Sequence, residues 1–198
     1  EFGDECERLW LPDVFGYTGA LPQILAGCGI KYFSTQKIFW AYKGGQIFPY
    51  NTFRWQGIDG SEVLVHLHND YNSQMSPRHV IERWDDRVQK DGISTRLMPF
   101  GWGDGGGGPT RDHLEYIRRQ EDLEGCPRVK LAGPIEYFKD LEQRGPGDLR
   151  YVGELYFQAH RGTYTSQART KRGNRKGELA LREAEAWSVA AGALAEWE

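Results

Sequence analysis

The chain has 198 residues, a formal net charge of −3 and a hydrophobic fraction of 39%. Its length suits one domain, or one domain and part of a second. The small net charge excludes the strongly basic surface by which proteins bind nucleic acids or anionic membranes, and no apolar run reaches the length of a membrane span. The three cysteines, Cys6, Cys28 and Cys126, lie far apart without a CxxC pair. This pattern predicts buried free thiols in a reducing, cytoplasmic compartment.

Predicted strands dominate the first part of the chain. A strand at Leu9–Pro12 and a helix at Thr18–Gly27 come first, and three further strands follow at Ile30–Gln36, Phe48–Gln56 and Glu62–Leu67. Thr18 can cap the first helix, and the glycines at the end of that helix can stop it. A Gly-Ile-Asp-Gly turn separates the last two strands.

Strands and helices alternate in the middle of the chain. A helix begins at Ser76 with N-cap chemistry and ends at Gly92. The elements after it are a strand at Thr95–Phe100, a helix at Thr110–Asp122, a strand at Arg128–Leu131, a helix at Ile135–Gln143 and a strand at Leu149–Phe157. Leu114 and Ile117 are expected to face inward from the second of these helices. Alternating strands and helices indicate parallel βαβ units, so the predicted fold class is α/β.

The composition changes towards the carboxyl terminus. A charged stretch at Lys171–Glu185 passes into an alanine-rich one. Leu181, Ala184, Ala191 and Leu194 recur at near-heptad spacing. This spacing predicts one long helix that is the first member of a helical bundle.

A carboxylate stands at the end of the first predicted strand. Asp13 follows the apolar strand residues, and Gly16, Thr18 and Gly19 come between it and the first helix. Barrel and open-sheet enzymes place reacting groups in such a loop, at the carboxyl end of a strand. A turn or N-cap role explains an aspartate at this position equally well. This segment alone therefore leaves Asp13 as either a catalytic carboxylate or a turn residue.

Two further segments contain candidate functional residues. His66 and His68 share one face of a strand and Asp70 follows them, which fits either a local metal site or ordinary strand residues. The glycine-rich segment Gly103–Thr110 contains Asp104, and its glycines permit close approach of the backbone to a ligand. The segment lacks the Gly-Lys-Ser/Thr ending of a P-loop, which disfavours a phosphate-binding role.

Several segments of the sequence resemble one known family. They are Leu9–Ile24, Trp55–Ser61, Gly103–Thr110 and Tyr156–Gln167, the last continued by Lys171–Lys176. In this order they resemble glycoside hydrolase family 38, the retaining, metal-dependent α-mannosidases, in the branch with cytosolic, vacuolar and many bacterial enzymes. The resemblance implies an incomplete seven-stranded (β/α) barrel with parallel strands at residues 1–158. Residues 159–198 would then hold the substrate loop and the first helix of a middle three-helix bundle domain.

The resemblance also implies roles for individual carboxylates. Asp13 matches the nucleophile, which is at the same time a metal ligand in this family. A retaining glycosidase needs this ionised group to form a glycosyl ester, and it needs a second carboxyl group about 5 Å away that holds a proton near neutral pH. Asp70 is expected to be this general acid, and Asp104 is the alternative.

A second set of residues is expected to contact the substrate. It consists of Lys37, Asp104, His160 and Tyr164. Lys37 matches a basic residue beside the nucleophile, and a solvated lysine is the alternative. His160 matches a position at which relatives place a substrate-contacting aromatic ring, and a structural histidine is the alternative. Trp102 is a further candidate for stacking against a sugar or for binding its hydroxyl groups.

The cofactor that the resemblance implies is zinc or another divalent cation. Of the ligands expected in the family, only Asp13 falls within the chain, because a His-x-Asp pair would precede Glu1 and a last histidine would follow Glu198. A single carboxylate cannot retain zinc against water and competing ligands. We therefore expect residues 1–198 alone to be inactive and to bind no metal.

The implied reaction is hydrolysis of terminal α-mannosidic bonds in mannose-containing oligosaccharides and glycans. The implied partners are the remainder of the same polypeptide and further copies of it in a homo-oligomer, with no nucleic acid and no membrane. Two other functions stay open. One is a non-catalytic, carbohydrate-binding relative, and the other is a metal-dependent polysaccharide deacetylase that uses His66, His68 and Asp70.

Overall fold

The computed structural model describes residues 3, 5–40, 45–90, 92–157, 159–160 and 167–195. The chain divides into two compact units, Glu1–Phe157 and Gln158–Glu198. Among the described residues, no helix is both long enough and apolar enough to cross a membrane.

The described residues of the first unit build a five-stranded sheet. Its strands are β1 (Arg8–Trp10), β2 (Tyr32–Thr35), β3 (Thr52–Gln56), β4 (Glu62–Leu67) and β5 (Arg150–Val152). Across the sheet the order is β1-β2-β4-β3-β5. β1, β2 and β4 are parallel neighbours, whereas β3 is antiparallel to β4 and parallel to β5. The carboxyl ends of β1, β2 and β4 therefore meet at one edge of the sheet.

The antiparallel pairing of β3 with β4 corrects the expectation that all strands are parallel. A short turn joins these two strands, and Gly57 N–H donates to the Ser61 carbonyl oxygen at 2.8 Å. The Asp59 carboxylate accepts hydrogen bonds from the backbone N–H and the hydroxyl of Ser61. A parallel connection needs a crossover of about a dozen residues or more, so a turn this short forces a hairpin.

Two segments predicted as strands do not pair as strands in the described structure. Residues 95–100 form only one isolated bridge, between Phe100 and Ser73, and residues 128–131 form none. The backbone N–H of Leu97 donates to Nε2 of the His66 ring instead of to a neighbouring strand. β propensity yields a strand only where a partner edge lies alongside it. The two segments border a cleft of about 1360 Å³ between the helices Pro77–Asp85, Arg111–Arg119 and Pro134–Arg144.

The helices of the first unit lie close to the predicted positions, except that the helix predicted from Ser76 to Gly92 ends earlier, at Asp85. They are α1 (Leu21–Gly27), α2 (Pro77–Asp85), α3 (Arg111–Arg119) and α4 (Pro134–Arg144), and a 3-10 turn spans Lys37–Phe39. Ser76 caps α2 as predicted, because its side chain accepts a hydrogen bond from the backbone N–H of His79. α1 begins at Leu21 rather than at Thr18, and Ala20 occupies its N-cap without a side-chain hydrogen bond.

The sheet buries apolar side chains on both of its faces. Tyr32 and Leu64 pack with Phe138 and Leu141 of α4, and the rings of Tyr32 and Phe138 stack at 4.8 Å. Because side chains alternate along a strand, Phe33 points to the opposite face, where it contacts the rings of Tyr17 and Trp55. A buried aromatic side chain contributes about 1.5–3 kcal/mol by its removal from water.

α3 buries a different set of side chains from the one expected. Ile117 is buried as predicted, but Leu114 is 45% exposed and His113 takes the inner position. The reason is local, because the His113 ring accepts a hydrogen bond from the backbone N–H of Thr110 and completes a capping box at the helix start. A histidine needed at the N-terminus of α3 therefore displaces leucine from the buried face.

The second unit contains a long helix in its described part. This helix, α5, spans Ala168–Ala195, and none of its residues is buried. Leu181, Trp187 and Leu194 are among its exposed hydrophobic side chains. The predicted long helix is therefore present.

The cysteines are free thiols, as predicted, but they are not all buried. Cys6 and Cys28 are exposed, and Cys126 is half-buried. Burial raises the pKa of the Cys126 thiol. The expectation of buried thiols was wrong for the two exposed residues.

Candidate active site

An ion pair joins the loops that follow the first two strands. Asp13 follows β1, and Lys37 follows β2 in the 3-10 turn. Because β1 and β2 are parallel neighbours, the two loops leave the same edge of the sheet. Lys37 Nζ lies 3.1 Å from Asp13 Oδ1, and the two side chains are 3% and 56% exposed, respectively. The structure thus brings together two residues that the sequence assigned to one site.

Aromatic rings surround the buried ammonium group of Lys37. Its Nζ atom lies 3.5 Å from the ring centroid of Trp40, 4.8 Å from that of Tyr71 and 5.8 Å from that of Phe15. Aromatic faces attract a cation and offset part of the cost of burying it. Among these rings, the ammonium group has the Asp13 carboxylate as its ion-pair partner.

Tyr71 connects this pair to the glycine-rich loop. Its hydroxyl donates a hydrogen bond to Asp104 Oδ1 at 3.1 Å. Burial raises the pKa of Tyr71 to about 12, and the hydrogen bond to Asp104 and the charge of Asp13 act in the same direction. The phenol therefore keeps its proton at neutral pH and remains a donor. Asp13, Lys37, Tyr71 and Asp104 form one chain of contacts, which we call the carboxylate cluster.

The glycine-rich loop is closed tightly at its base. Trp102 and Gly108 exchange two backbone hydrogen bonds of 2.9 and 2.8 Å. A Cβ atom on Gly101 would lie 2.6 Å from the carbonyl carbon of Gly108, and one on Gly103 would lie 3.1 Å from the ring of Tyr71. Asp104 sits in this loop with a left-handed φ of 54°. Gly101 and Gly103 are thus explained by a close turn that presents Asp104.

Asp70 has a different environment from Asp104. Its carboxylate accepts hydrogen bonds from the backbone N–H of Asn72 and the hydroxyl of Ser73, at 2.8 and 3.2 Å. His79 Nε2 and Arg83 Nε lie 3.4 and 3.5 Å from Oδ2, and the side chain is 17% exposed. Protein donors therefore occupy both oxygens of Asp70, and these contacts hold the turn that follows β4.

His66 and His68 make structural contacts at the carboxyl end of β4. His66 Nε2 accepts from the backbone N–H of Leu97, and Nδ1 lies 3.0 Å from Thr52 Oγ1. His68 Nδ1 donates to the Asp70 carbonyl oxygen at 2.8 Å, and its ring stacks on Trp10. Within the described ranges, no group of three or more His, Cys, Asp or Glu side chains is placed to hold a metal ion. These contacts give no support to a metal-dependent deacetylase site.

The two buried histidines predict a loss of stability in acid. Burial lowers the pKa of His68 from 6.5 to about 4, and it lowers the pKa of His66 well below 6.5. Between pH 4 and pH 6.5, the unfolded chain binds a proton at His68 that the folded chain excludes. Folding is therefore favoured above pH 6.5 and weakened as the pH falls, by about 3 kcal/mol for His68 alone. Urea unfolding at a series of pH values measures this slope.

The variant His68→Phe is the control for this prediction. It keeps an aromatic ring against Trp10 but cannot titrate, so its free energy of unfolding should vary less with pH than that of the parent chain. His66 should supply the remaining slope. If the variant and the parent chain show equal slopes, His68 is not the group responsible.

The remaining predicted site residues lie in the second unit. His160 has a left-handed backbone φ of 61°. Tyr164 lies outside the described residues, as does most of the segment Tyr156–Gln167. Their roles as substrate contacts stay predictions.

Sequence reasoning missed Tyr71 and Trp40. Both follow strands of the parallel part of the sheet, Trp40 after β2 and Tyr71 after β4. Aromatic residues at the carboxyl ends of neighbouring strands are a usable signal, since those ends meet at one edge. The signal becomes specific only when the strand order is known.

Two known domain families match the chain. Residues 1–163 match the glycosyl hydrolases family 38 N-terminal domain, and residues 158–198 match the alpha mannosidase middle domain. The chain belongs to glycoside hydrolase family 38. The resemblance drawn from the sequence motifs is confirmed.

Several characterised relatives of this family are similar over nearly the whole chain. Alpha-mannosidase 2C1 from Mus musculus is 43% identical over 190 residues, which is 95% of this chain and 18% of the relative. Alpha-mannosidase G from Dictyostelium discoideum is 43% identical over 183 residues, covering 91% of this chain and 17% of the relative. The alpha-mannosidase of Saccharomyces cerevisiae is 38% identical over 200 residues, covering 96% and 18%. The chain spans about a fifth of the length of these family 38 relatives.

A solved structure has a similar fold. The crystal structure of an alpha-mannosidase from Enterococcus faecalis V583 superimposes with a TM-score of 0.58 at 19% sequence identity. The superposition covers 77% of this chain and 18% of that one. The comparison supports the α/β fold of the family 38 segment.

Proposed function

We propose that this chain belongs to the catalytic domain of a retaining glycosidase that hydrolyses terminal α-mannosidic bonds. The carboxylate cluster carries the proposal, since it combines a half-exposed aspartate paired with a buried cation and a second aspartate on a rigid loop. Family membership and relatives named alpha-mannosidase support the choice of mannose as the sugar. The proposed substrates are mannose-containing oligosaccharides and glycans.

Asp13 is the proposed nucleophile. Its carboxylate oxygen attacks the anomeric carbon, a bond forms between that oxygen and the carbon, and the glycosidic C–O bond breaks. The leaving oxygen takes a proton from the general acid. Water then attacks the anomeric carbon of the ester and returns the carboxylate, while the same acid residue, now ionised, accepts a proton from the water. The Lys37 contact supports this role because it holds one carboxylate oxygen in place.

We propose Asp104, rather than Asp70, as the general acid and base. Asp104 accepts a hydrogen bond from Tyr71, whose ring lies beside the ammonium group of Lys37. The Asp70 carboxylate instead contacts a backbone amide, a hydroxyl, His79 and Arg83. An acid that must release and recover a proton needs an oxygen open to the substrate. Asp104 is exposed, and the glycines around it leave room for a sugar ring.

A divalent cation is expected from the family, whose α-mannosidases are generally metal-dependent. The Asp13 carboxylate is a hard oxygen donor of the kind that zinc and similar ions accept. In the described part of the chain, however, no other His, Cys, Asp or Glu side chains join it in a set of three. These residues alone do not fit a metal centre, and Asp13 is the side chain among them that would hold the ion.

The domain organisation proposed from the sequence has two kinds of support. The family matches and the compact units both divide the chain near residue 158. We propose that residues 1–158 are part of a seven-stranded barrel, because the segments 95–100 and 128–131, which form no regular strand, border an open cleft. The exposed apolar side chains of α5 support its place in a three-helix bundle.

The proposed compartment is the cytoplasm. The three free cysteines support it, because exposed thiols such as Cys6 and Cys28 persist in a reducing environment. Association of the full-length polypeptide into a homo-oligomer is proposed on the family resemblance alone.

The stereochemistry of hydrolysis tests the proposed function. Full-length gene product, supplied with zinc, is expected to hydrolyse 4-nitrophenyl α-mannoside and to release α-mannose as the first product, observed by proton NMR before mutarotation. Release of β-mannose would contradict the retaining mechanism. Saturable sugar binding without hydrolysis would instead indicate a carbohydrate-binding relative.

A further inference from the structure

An exposed tryptophan stands beside the proposed general acid. Trp102 precedes Asp104 in the glycine-rich loop, and it is 55% exposed although indole rings are usually buried. Among the described residues, its ring packs against the imidazole of His113 in α3. No step of the proposed mechanism uses the Trp102 ring.

The backbone of Trp102 is held firmly. Its backbone N–H donates to the Gly108 carbonyl oxygen, and its carbonyl oxygen accepts from the Gly108 N–H. A side chain on Gly107 would overlap the Cβ atom of Trp102, so glycine is required there. These contacts fix the position of the Trp102 Cβ atom, from which the indole ring extends.

The ring itself is also supported from one side. His113 is 3% exposed, and its imidazole meets the Trp102 ring edge-on, with centroids 5.9 Å apart and planes at 88°. The hydrogen bonds between His113 and Thr110 hold that imidazole at the start of α3. A ring supported in this way keeps its orientation and offers a flat apolar surface at low cost in entropy.

We propose that Trp102 is the platform for the leaving-group sugar, the residue on the far side of the bond that is cleaved. A general acid must lie beside the glycosidic oxygen, and this oxygen departs with the leaving group. Trp102 lies two residues from Asp104 in the same loop, so its ring is assigned to the leaving sugar rather than to the mannose that reacts with Asp13. The apolar C–H face of a pyranose ring packs on the face of an indole. Trp102 thereby favours oligosaccharides over substrates with small leaving groups.

This inference rests on the proposed function, so its test compares two substrates that share the same mannosyl group. α-Linked mannobiose has a sugar as its leaving group, whereas the leaving group of α-mannosyl fluoride is a fluoride ion. In the full-length gene product, Trp102→Ala should lower the ratio of kcat/KM for mannobiose to kcat/KM for the fluoride by roughly 10- to 100-fold. Trp102→Phe should restore much of the ratio because it keeps an aromatic face.

Tyr116→Ala provides a matched control. Tyr116 is a 41% exposed aromatic residue of α3, on the helix that follows the glycine-rich loop. Its removal should leave the ratio unchanged. An equal loss on both substrates in Trp102→Ala would show that the ring only supports the fold, and it would overturn the inference. Turnover of the fluoride by Asp13→Asn at the parent rate would instead overturn the proposed function.

Discussion

Asp13→Asn is expected to lower kcat for α-mannoside hydrolysis by roughly 10⁵- to 10⁶-fold, the scale on which loss of a covalent nucleophile acts in other hydrolases. An amide cannot form the glycosyl ester, so the first chemical step fails. The amide oxygen can still accept a hydrogen bond from Lys37, which keeps the buried ammonium group partnered. Steady-state kinetics with the full-length gene product and 4-nitrophenyl α-mannoside measure the loss.

Asparagine is chosen over alanine because of the Lys37 side chain. Asp13→Ala would leave a 3% exposed ammonium group without its carboxylate and cost about 1–3 kcal/mol of stability, between the values for exposed and buried ion pairs. We therefore expect Asp13→Asn to unfold at nearly the parent temperature and Asp13→Ala to unfold earlier. A well-folded Asp13→Asn enzyme with more than about a hundredth of the parent kcat would rule out Asp13 as the nucleophile.

Asp104→Asn is expected to distinguish substrates by their leaving groups. α-Linked mannobiose needs a proton on its departing oxygen, so kcat/KM should fall by about 10²- to 10⁴-fold. 2,4-Dinitrophenyl α-mannoside releases a stable phenolate without protonation, so formation of the glycosyl ester should change by less than about tenfold. Burst kinetics separate this step from the slower hydrolysis of the ester. Added azide, a nucleophile that needs no general base, should speed the breakdown of the ester.

Asp70→Asn is the matched control for Asp104→Asn. Both variants exchange a carboxylate for an amide, but Asp70 contacts His79 and Arg83, whereas Asp104 contacts Tyr71. We expect Asp70→Asn to lower stability and to affect the two substrates equally. Dependence on the leaving group in Asp70→Asn, and its absence in Asp104→Asn, would return the acid role to Asp70.

Local signals in the sequence located most of the secondary structure. The predicted bounds of β4 agree with the structure at Glu62–Leu67, and Ser76 caps α2 as its side-chain chemistry requires. Such signals depend on neighbouring residues, which are visible in the sequence. The segment 95–100 was predicted as a strand on equal grounds, yet its hydrogen bonds depend on which backbone lies beside it. Strand pairing is not a local property, so this prediction was wrong.

In the candidate site, too, some residues could be selected from the sequence and others only from the fold. Asp13, Lys37 and Asp104 could be selected from strand ends, a glycine-rich run and the resemblance to family 38. Tyr71 could not, because its role comes from lying between Lys37 and Asp104, which are far apart in the chain. The preference for Asp70 also followed from sequence position alone, and the donors around its carboxylate favour Asp104 in its place.

By itself, the sequence determined the family, the α/β class and the identity of the candidate carboxylates, because motifs and hydrophobic periods are properties of short segments. The tertiary structure alone decided the strand order, the antiparallel hairpin and the aromatic enclosure of Lys37. It also placed the Asp70 carboxylate against His79 and Arg83, and the Asp104 carboxylate against the Tyr71 hydroxyl. These features depend on contacts between residues distant in the chain, and a buried charge or an unpaired strand is stabilised only by what the fold brings next to it.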